Sequence, residues 1–244
     1  MRRGGWLLGL ALVAVCAVPG AAAGTGAVTE ERAGEGVIDW SRGLVITRGA
    51  AAADLRARSP EVARVGAERR ATERAQQHLL ALATHVSLAD GSKVGAIGQK
   101  DPEAARRLAR AARSALEVDI DYGSDGSVVI HLGLPLEAIR VALAGPESAP
   151  APRDAAVTGV IVHAGGVVKA PALGLELVAG KVRYAPPVVF TRGSGADPRL
   201  GDSVLEARAL SRDGRALSVD LEPEALARAR AGGALVRIVL ESPR

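Results

Sequence analysis

The sequence predicts an α+β protein with a small antiparallel sheet covered by two Ala-rich helices, followed by a mostly-β C-terminal domain with one short helix. Three observations support this fold class. Residues 59–88 and 101–116 each carry an apolar stripe with helical spacing. Two pairs of short segments flank these helices, and a turn joins the members of each pair. Short apolar runs separated by Gly and Pro fill the last third of the chain.

The first 23 residues have the pattern of a secretory signal peptide. Arg2 and Arg3 form a basic start, residues 6–18 form an apolar run, and residues 21–23 are alanines suited to a cleavage site. The apolar run is too short for a stable membrane span. We therefore expect the chain to be exported by a cleavable signal peptide.

Cys16 is the only cysteine of the chain and raises the alternative of a lipoprotein signal. The residue before it is Val15, whereas the cysteine of a lipobox normally follows a small residue. Cys16 also lies inside the apolar run. We favour cleavage after Ala23, which leaves a mature chain without disulfides that must be stabilised by packing.

Charge and aromatic content argue against nucleic acid as a partner. Without Arg2 and Arg3 the chain has 29 basic and 27 acidic residues, so it is nearly neutral. The aromatic residues beyond the signal peptide are Trp40, Tyr122, Tyr184 and Phe190. Four rings cannot build a stacking platform for single strands.

The next segments predict the start of the first domain, residues 36–145. Residues 24–35 are small and polar, which predicts a flexible mature N-terminus. Residues 36–40 and 43–47 predict two strands, which a turn at Ser41–Arg42–Gly43 joins into a hairpin.

The long helix is predicted to organise this domain. Ser59 suits the N-cap, Pro60 the first turn, and Glu61 the helix dipole. The stripe repeats at steps of three or four and contains Ala63, Ala67, Ala71, Ala75, Leu79, Leu82 and Val86. The opposite face, which we interpret as a solvated surface, carries Arg64, Glu68, Arg69, Arg70, Glu73 and Arg74. Small side chains let the helix lie close to a sheet, so we interpret it as architecture.

The rest of the first domain is predicted as a loop over residues 90–98, a helix over 101–116 and a second hairpin. The hairpin strands are residues 117–122 and 128–132, with Asp125 and Gly126 in the turn. Residues 134–143 form an ending strand or a short helix. The segment 146–154 is rich in Pro and Ala and predicts a linker between domains.

The C-terminal domain, residues 155–244, is predicted to be mostly β. We expect a Gly-rich loop over residues 192–202 and a short helix over residues 222–231. The predicted strands are residues 157–163, 167–168, 173–178, 181–184, 188–191, 204–210, 216–219 and 235–240.

The histidines do not predict a metal site. His78 and His85 share a side of the long helix, but about two turns, or roughly 10 Å, separate them. Neither has a carboxylate or thiol partner at ligand spacing. We interpret these two, together with His131 and His163, as ordinary surface or edge residues.

Four residues of the second hairpin resemble part of a calcium loop: Asp119, Asp121, Asp125 and Gly126. Position five of such a loop would be Gly123, and position twelve would be Ile130 instead of Glu. A hairpin with an Asp-Gly turn accounts for the same residues.

Motifs for catalysis are also missing from the sequence. Gly91, Gly95 and Gly98 match neither phosphate-binding glycine pattern. There is no Gly-x-Ser-x-Gly elbow, and the mature chain has no thiol nucleophile. The carboxylate pair Glu30–Glu31 falls in the segment predicted to be flexible. We assign no catalytic, cofactor-binding or metal-binding residue and expect no cofactor.

The chain resembles a family of small bacterial outer-membrane lipoproteins that share a domain with the N-terminal part of the flagellar assembly protein FlgT. The likeness rests on the Gly-Val-Ile-Asp-Trp strand at 36–40, the Ala- and Arg-rich helix at 65–86, and the Leu-Pro-Leu at 134–136 after the Asp-Gly turn. The C-terminal part resembles a segment often found after this domain, with a Thr-Gly opening at 158–162 and a closing helix and strand at 222–240.

The resemblance implies an envelope-structural or assembly role and brings no catalytic residues. We therefore expect a secreted, non-enzymatic cell-envelope protein in the periplasm or at the outer-membrane periphery. Its expected partners are envelope proteins or outer-membrane components, and its membrane association is peripheral, not integral. Two alternatives stay open: a periplasmic small-ligand binding module, and a hydrolase whose nucleophile and base come from distant segments.

Overall fold

An antiparallel sheet of five strands forms the centre of the first half of the chain. The structure, a computed structural model, describes residues 27–32, 36–145, 157–193 and 195–240. The strands are β1 Thr29–Arg32, β2 Gly36–Asp39, β3 Leu44–Ala51, β4 Leu116–Tyr122 and β5 Val128–Pro135. Their order in the sheet is β1-β2-β3-β5-β4. Both predicted hairpins, β2–β3 and β4–β5, are confirmed.

Four helices accompany this sheet: α1 Pro60–Thr84, α2 Val94–Lys100, α3 Pro102–Arg113 and α4 Leu136–Ala144. All seven positions of the predicted stripe in and after α1 are buried, so the orientation of this helix is confirmed. The Ser59 Oγ accepts a hydrogen bond from the Val62 N–H at 3.4 Å, as expected of an N-cap. Helix α1 lies across β3 and β5, and α3 packs beside it on α2 and α4.

The approach of α1 to the sheet is closest at Gly49 of β3. A Cβ at this position would lie 2.0 Å from the Ala71 carbonyl oxygen and 2.4 Å from the Ala75 nitrogen. The buried Thr47 side chain donates a hydrogen bond to the Ala75 carbonyl at 3.0 Å. The glycine in β3 and the alanines of α1 therefore together let two backbones meet.

Two predictions for the first half are wrong. Residues 29–32, which we expected to be flexible, form β1, and Glu30 accepts a hydrogen bond from the Trp40 indole at 3.1 Å. The expected loop at 90–98 contains α2. Its glycines are weak helix formers, but Val94 is fully buried and Gly95 lies close against Thr84. Tertiary packing here outweighs intrinsic propensity.

The second half forms a mixed sheet of seven strands in the order β8-β7-β11-β10-β6-β12-β9. The strands are β6 Gly159–His163, β7 Glu176–Ala179, β8 Val182–Tyr184, β9 Val188–Thr191, β10 Val204–Asp213, β11 Ala216–Val219 and β12 Leu235–Val239. The described part of this half also contains one α-helix, α5 Pro223–Ala231, and one short 3-10 helix, Pro198–Leu200. The α+β class with a mostly-β C-terminal part is therefore confirmed. The strand expected at residues 167–168 is wrong, because Gly165 and Gly166 turn the chain there with positive φ.

The two halves share one continuous hydrophobic core. The Trp40 and Phe190 rings meet edge to face with centroids 5.6 Å apart, and the Phe190 N–H donates a hydrogen bond to the Trp40 carbonyl at 3.0 Å. Arg199 donates hydrogen bonds to the carbonyls of Ser41 and Arg42 at the first hairpin turn. The predicted signal peptide, Cys16 and the predicted linker 146–154 lie outside the described residues.

Candidate functional site: the free edge of the first sheet

Strand β4 is the outermost strand of the first sheet and has β5 as its one neighbour among the described residues. Six of its seven side chains are exposed, and Ile120 is half-buried. Three of the exposed side chains are large and apolar: Leu116 is 61% exposed, Val118 is 42% exposed and Tyr122 is 53% exposed. A strand of this length with an unpaired backbone edge is a ready template for pairing with another chain.

A β-bulge at Val118 determines which way the β4 side chains point. Glu117 stands opposite Leu132 and Asp119 stands opposite His131, so Val118 is the extra residue. Because cross-strand partners share a face, Glu117 lies on the face covered by α1 and Asp119 lies on the outer face. The bulge thus separates acidic residues that a regular strand would keep together.

The outer face beside the bulge is closely packed at Gly133 of β5. A Cβ on Gly133 would lie 2.8 Å from the Val118 Cγ2. The Val118 side chain therefore rests over this glycine and stays partly exposed above it. The next row of the same face is polar, where the His131 Nε2 lies 3.7 Å from the Asp121 Oδ2.

The α1 side of β4 is tied to the long helix through Tyr122. The Arg64 guanidinium lies 5.4 Å from the centre of the tyrosine ring, within cation–π range. A hydrogen bond to the Glu68 carboxylate raises the pKa of the Tyr122 phenol above its usual value, because it favours the protonated form. These contacts hold the end of β4 in place without covering its backbone edge.

A second stretch of backbone edge, on β3, has no pairing strand, but side chains of α1 bind its carbonyls. Strand β2 pairs with residues 44–46 of β3, so the rest of β3 has no strand neighbour on that side among the described residues. His78 Nδ1 lies 2.9 Å from the Arg48 carbonyl, and Arg70 donates a hydrogen bond to the Ala52 carbonyl at 2.8 Å. Arg74 donates to the Ala50 carbonyl between them. We call these three side chains the carbonyl ladder.

The carbonyl ladder works because two spacings match. Four residues along a helix span about 6 Å, and two residues along a strand span about 7 Å. Side chains at 70, 74 and 78 can therefore each reach one of three alternate carbonyls. Arg74 is exposed and Arg70 is half-buried, in line with a solvated face, but both guanidinium groups also donate hydrogen bonds to the edge of the sheet. The step of four was visible in the sequence, but the facing strand edge was not.

The remaining histidines and aspartates that we weighed stay apart. His85 lies 3.1 Å from the carbonyl of its own helix at Ala81, and Asp125 accepts the Ser127 N–H in the hairpin turn. Among the residues that the structure describes, no three His, Cys, Asp or Glu side chains are grouped for a metal ion. Nor does any described helix combine the length and apolar character needed to cross a membrane.

Among the cavities lined by described residues, two lie next to α4. A shallow groove of about 620 Å³ lies between α3 and α4, with an apolar floor that includes Ala111, Ala138 and Val141 and with Arg110 and Glu137 at its rim. A smaller cavity of about 140 Å³ lies between the two halves.

Comparison with known proteins does not assign the chain to a family. No protein-family model matches the chain, and no curated protein matches it at a significant level.

Proposed function

We propose that this chain is an exported, non-enzymatic cell-envelope protein with an assembly or protein-interaction role, and that β4 is the surface through which it binds its partner. The observation that carries the proposal is the contrast between the two open edges of the first sheet. Side chains of α1 bind the carbonyls of Arg48 and Ala50 in β3 and of Ala52 just after it, whereas β4 keeps an open edge with exposed apolar side chains.

The export part of the proposal rests on the pattern of residues 1–23 and on the resemblance to envelope proteins. It is tested by fractionating the native host and determining the N-terminus of the protein. We expect a mature protein beginning after Ala23 in the periplasmic or outer-membrane fraction. Recovery in the cytoplasm with residues 1–23 still attached would overturn it.

The binding part is tested by capture of envelope components. The exported protein, with a C-terminal tag, is purified and used to capture partners from detergent-solubilised envelope at several salt concentrations. We expect a component that binds the wild type and is lost from a variant in which Val118 and Tyr122 are replaced by Ser. Substitution of Leu210, which is 63% exposed in the other half, is the matched control.

The groove between α3 and α4 supports a second candidate function, a small-ligand binding module. Its volume of about 620 Å³ lies within the range of roughly 300–1,000 Å³ that is usual for such sites. The change Ala138→Trp would fill the groove. If this change abolishes binding of a fluorescent anionic amphiphile such as anilinonaphthalene sulfonate while β4 variants do not, the groove is a separate site.

A further inference from the structure

We propose that the partner of this protein adds an antiparallel strand to β4, and that this strand alternates basic and apolar side chains. The inference rests on the proposed function and specifies the chemistry of its partner. It follows from three properties of β4: the length of its open edge, the faces on which its charges lie, and the effect of pairing β4 with a second copy of itself.

The length of the edge favours backbone pairing. The edge strands of the two sheets are β1, β4, β8 and β9, with lengths of four, seven, three and four residues. Strand β9 is also bonded to the first half through Phe190, and β8 packs against α5. Strand β4 is therefore the longest edge strand of the described chain. An added strand displaces one local contact there, the hydrogen bond that the Ile120 N–H donates to the Asp119 carboxylate at 3.0 Å.

The charges on β4 define the side chains that an added strand must carry. Past the bulge, Asp119 and Asp121 lie on the outer face, while Ile120 and Tyr122 lie on the face shared with α1. Opposite charges directly across two strands stabilise their pairing, and apolar pairs do so as well. A partner strand therefore places Lys or Arg against the two aspartates and apolar residues against Ile120 and Tyr122.

A second copy of this chain does not meet that requirement. If two β4 strands paired about a two-fold axis at Ile120, the Asp119 of each would stand opposite the Asp121 of the other. Like charges directly opposite each other destabilise a pair of strands. Within each copy the His131 Nε2 lies 3.7 Å from the Asp121 carboxylate. In this register the charges of β4 therefore disfavour a second copy and favour a basic strand.

The experiment uses three synthetic seven-residue peptides and the purified exported protein. The first alternates Val and Lys, the second alternates Val and Glu, and the third has the Val-Lys sequence with methyl groups on alternate backbone nitrogens. Binding is followed by the amide NMR signals of Ile120 and Tyr122. We expect the first peptide to bind with an affinity at least about tenfold higher than that of either other peptide.

Charge-reversal variants supply the specificity test. The double change Asp119→Lys and Asp121→Lys should transfer binding from the Val-Lys peptide to the Val-Glu peptide. The control Asp202→Lys and Asp213→Lys makes the same change in net charge at exposed positions of the second half and should leave the preference unchanged. Equal binding of the methylated peptide would show attraction without strand addition and would overturn the inference.

Capture from the envelope separates this inference from the proposed function. If the wild type captures a component and the charge-reversed protein captures it equally well, the basic-strand inference fails while the interaction role stands. If no component is captured but the Val-Lys peptide binds as described, the envelope role fails and the strand preference stands. Failure of both measurements would remove both proposals.

Discussion

Two stretches of backbone edge in the first sheet differ in how they are protected: helix side chains bind one, and the other is exposed and charged. At the edge of β3, side chains of α1 bind the carbonyls of Arg48, Ala50 and Ala52, which have no strand neighbour among the described residues. On β4, seven residues keep an open edge that carries a bulge and three carboxylates. Both devices discourage uncontrolled pairing, but they differ in what they permit. Covering an edge excludes every strand, whereas charging it excludes only strands of the same charge.

The largest expected effect comes from breaking the covered edge at Gly49. The change Gly49→Ala places a Cβ against the backbone of α1 at Ala71 and Ala75, so the helix must move away from β3. We expect a loss of about 3 kcal/mol or more in the free energy of unfolding, measured in urea, because backbone cannot yield as a side chain can. The control Gly193→Ala has open space at its Cβ and should change stability by less than about 0.5 kcal/mol. Equal stability of the two variants would show that α1 does not lie as close to β3 as described.

A smaller effect is expected when the carbonyl ladder is removed and the helix is kept. Replacing Arg70, Arg74 and His78 together by Ala removes the side chains that bind three carbonyls at the sheet edge. We expect a loss of about 1–3 kcal/mol in unfolding free energy, since these groups are partly open to water and are rehydrated. The exposed edge should also make the protein self-associate with rising concentration, as measured by light scattering.

Arg69 provides the matched control for the ladder. It lies on the same helix, is 76% exposed at its side chain, and has one weak ion pair to Glu73 at 4.0 Å. Its change to Ala should alter stability by less than about 0.5 kcal/mol and leave the protein monodisperse. A triple variant as stable and as monodisperse as the Arg69 variant would contradict the role of the ladder.

The bulge of the open edge is tested by a pair of substitutions. Gly133→Ala should cost about 1 kcal/mol, because the new Cβ meets the Val118 side chain, which can partly move away. Combining it with Val118→Ala should recover most of that loss. A double-mutant cycle measured by urea unfolding gives the coupling. Additive effects would mean that Val118 does not lie over Gly133.

The smallest expected effect is on the ionisation of Tyr122. Because its folded pKa is raised, the contribution of its hydrogen bond to stability is complete below the usual tyrosine pKa of about 10 and is lost as pH rises through the folded value. Glu68→Gln should lower the pKa of Tyr122 toward the usual value. Ultraviolet titration can follow this, because the chain has two tyrosines and the other, Tyr184, is buried.

Much of the first half could be predicted because its signals are local. The alanine stripe, the Ser59 cap and the two turns each depend on residues that are close in sequence, and each agrees with the fold. Strand β1 and helix α2 were missed for the opposite reason. Glu30 is ordered by Trp40 and Val94 by the buried core, and neither contact appears as a pattern along the chain.

The candidate site shows which properties follow from the sequence and which depend on the tertiary structure. The sequence by itself determined that residues 117–122 alternate acidic and apolar side chains in a strand, and that Arg70, Arg74 and His78 follow one another at helical spacing. Only the tertiary structure decided that a bulge at Val118 places Glu117 and Asp119 on opposite faces of the sheet. It alone also brought the carbonyls at the β3 edge within reach of α1. Spacing along a chain determines which side chains share a face, but strand register and the approach of distant backbones determine what that face meets.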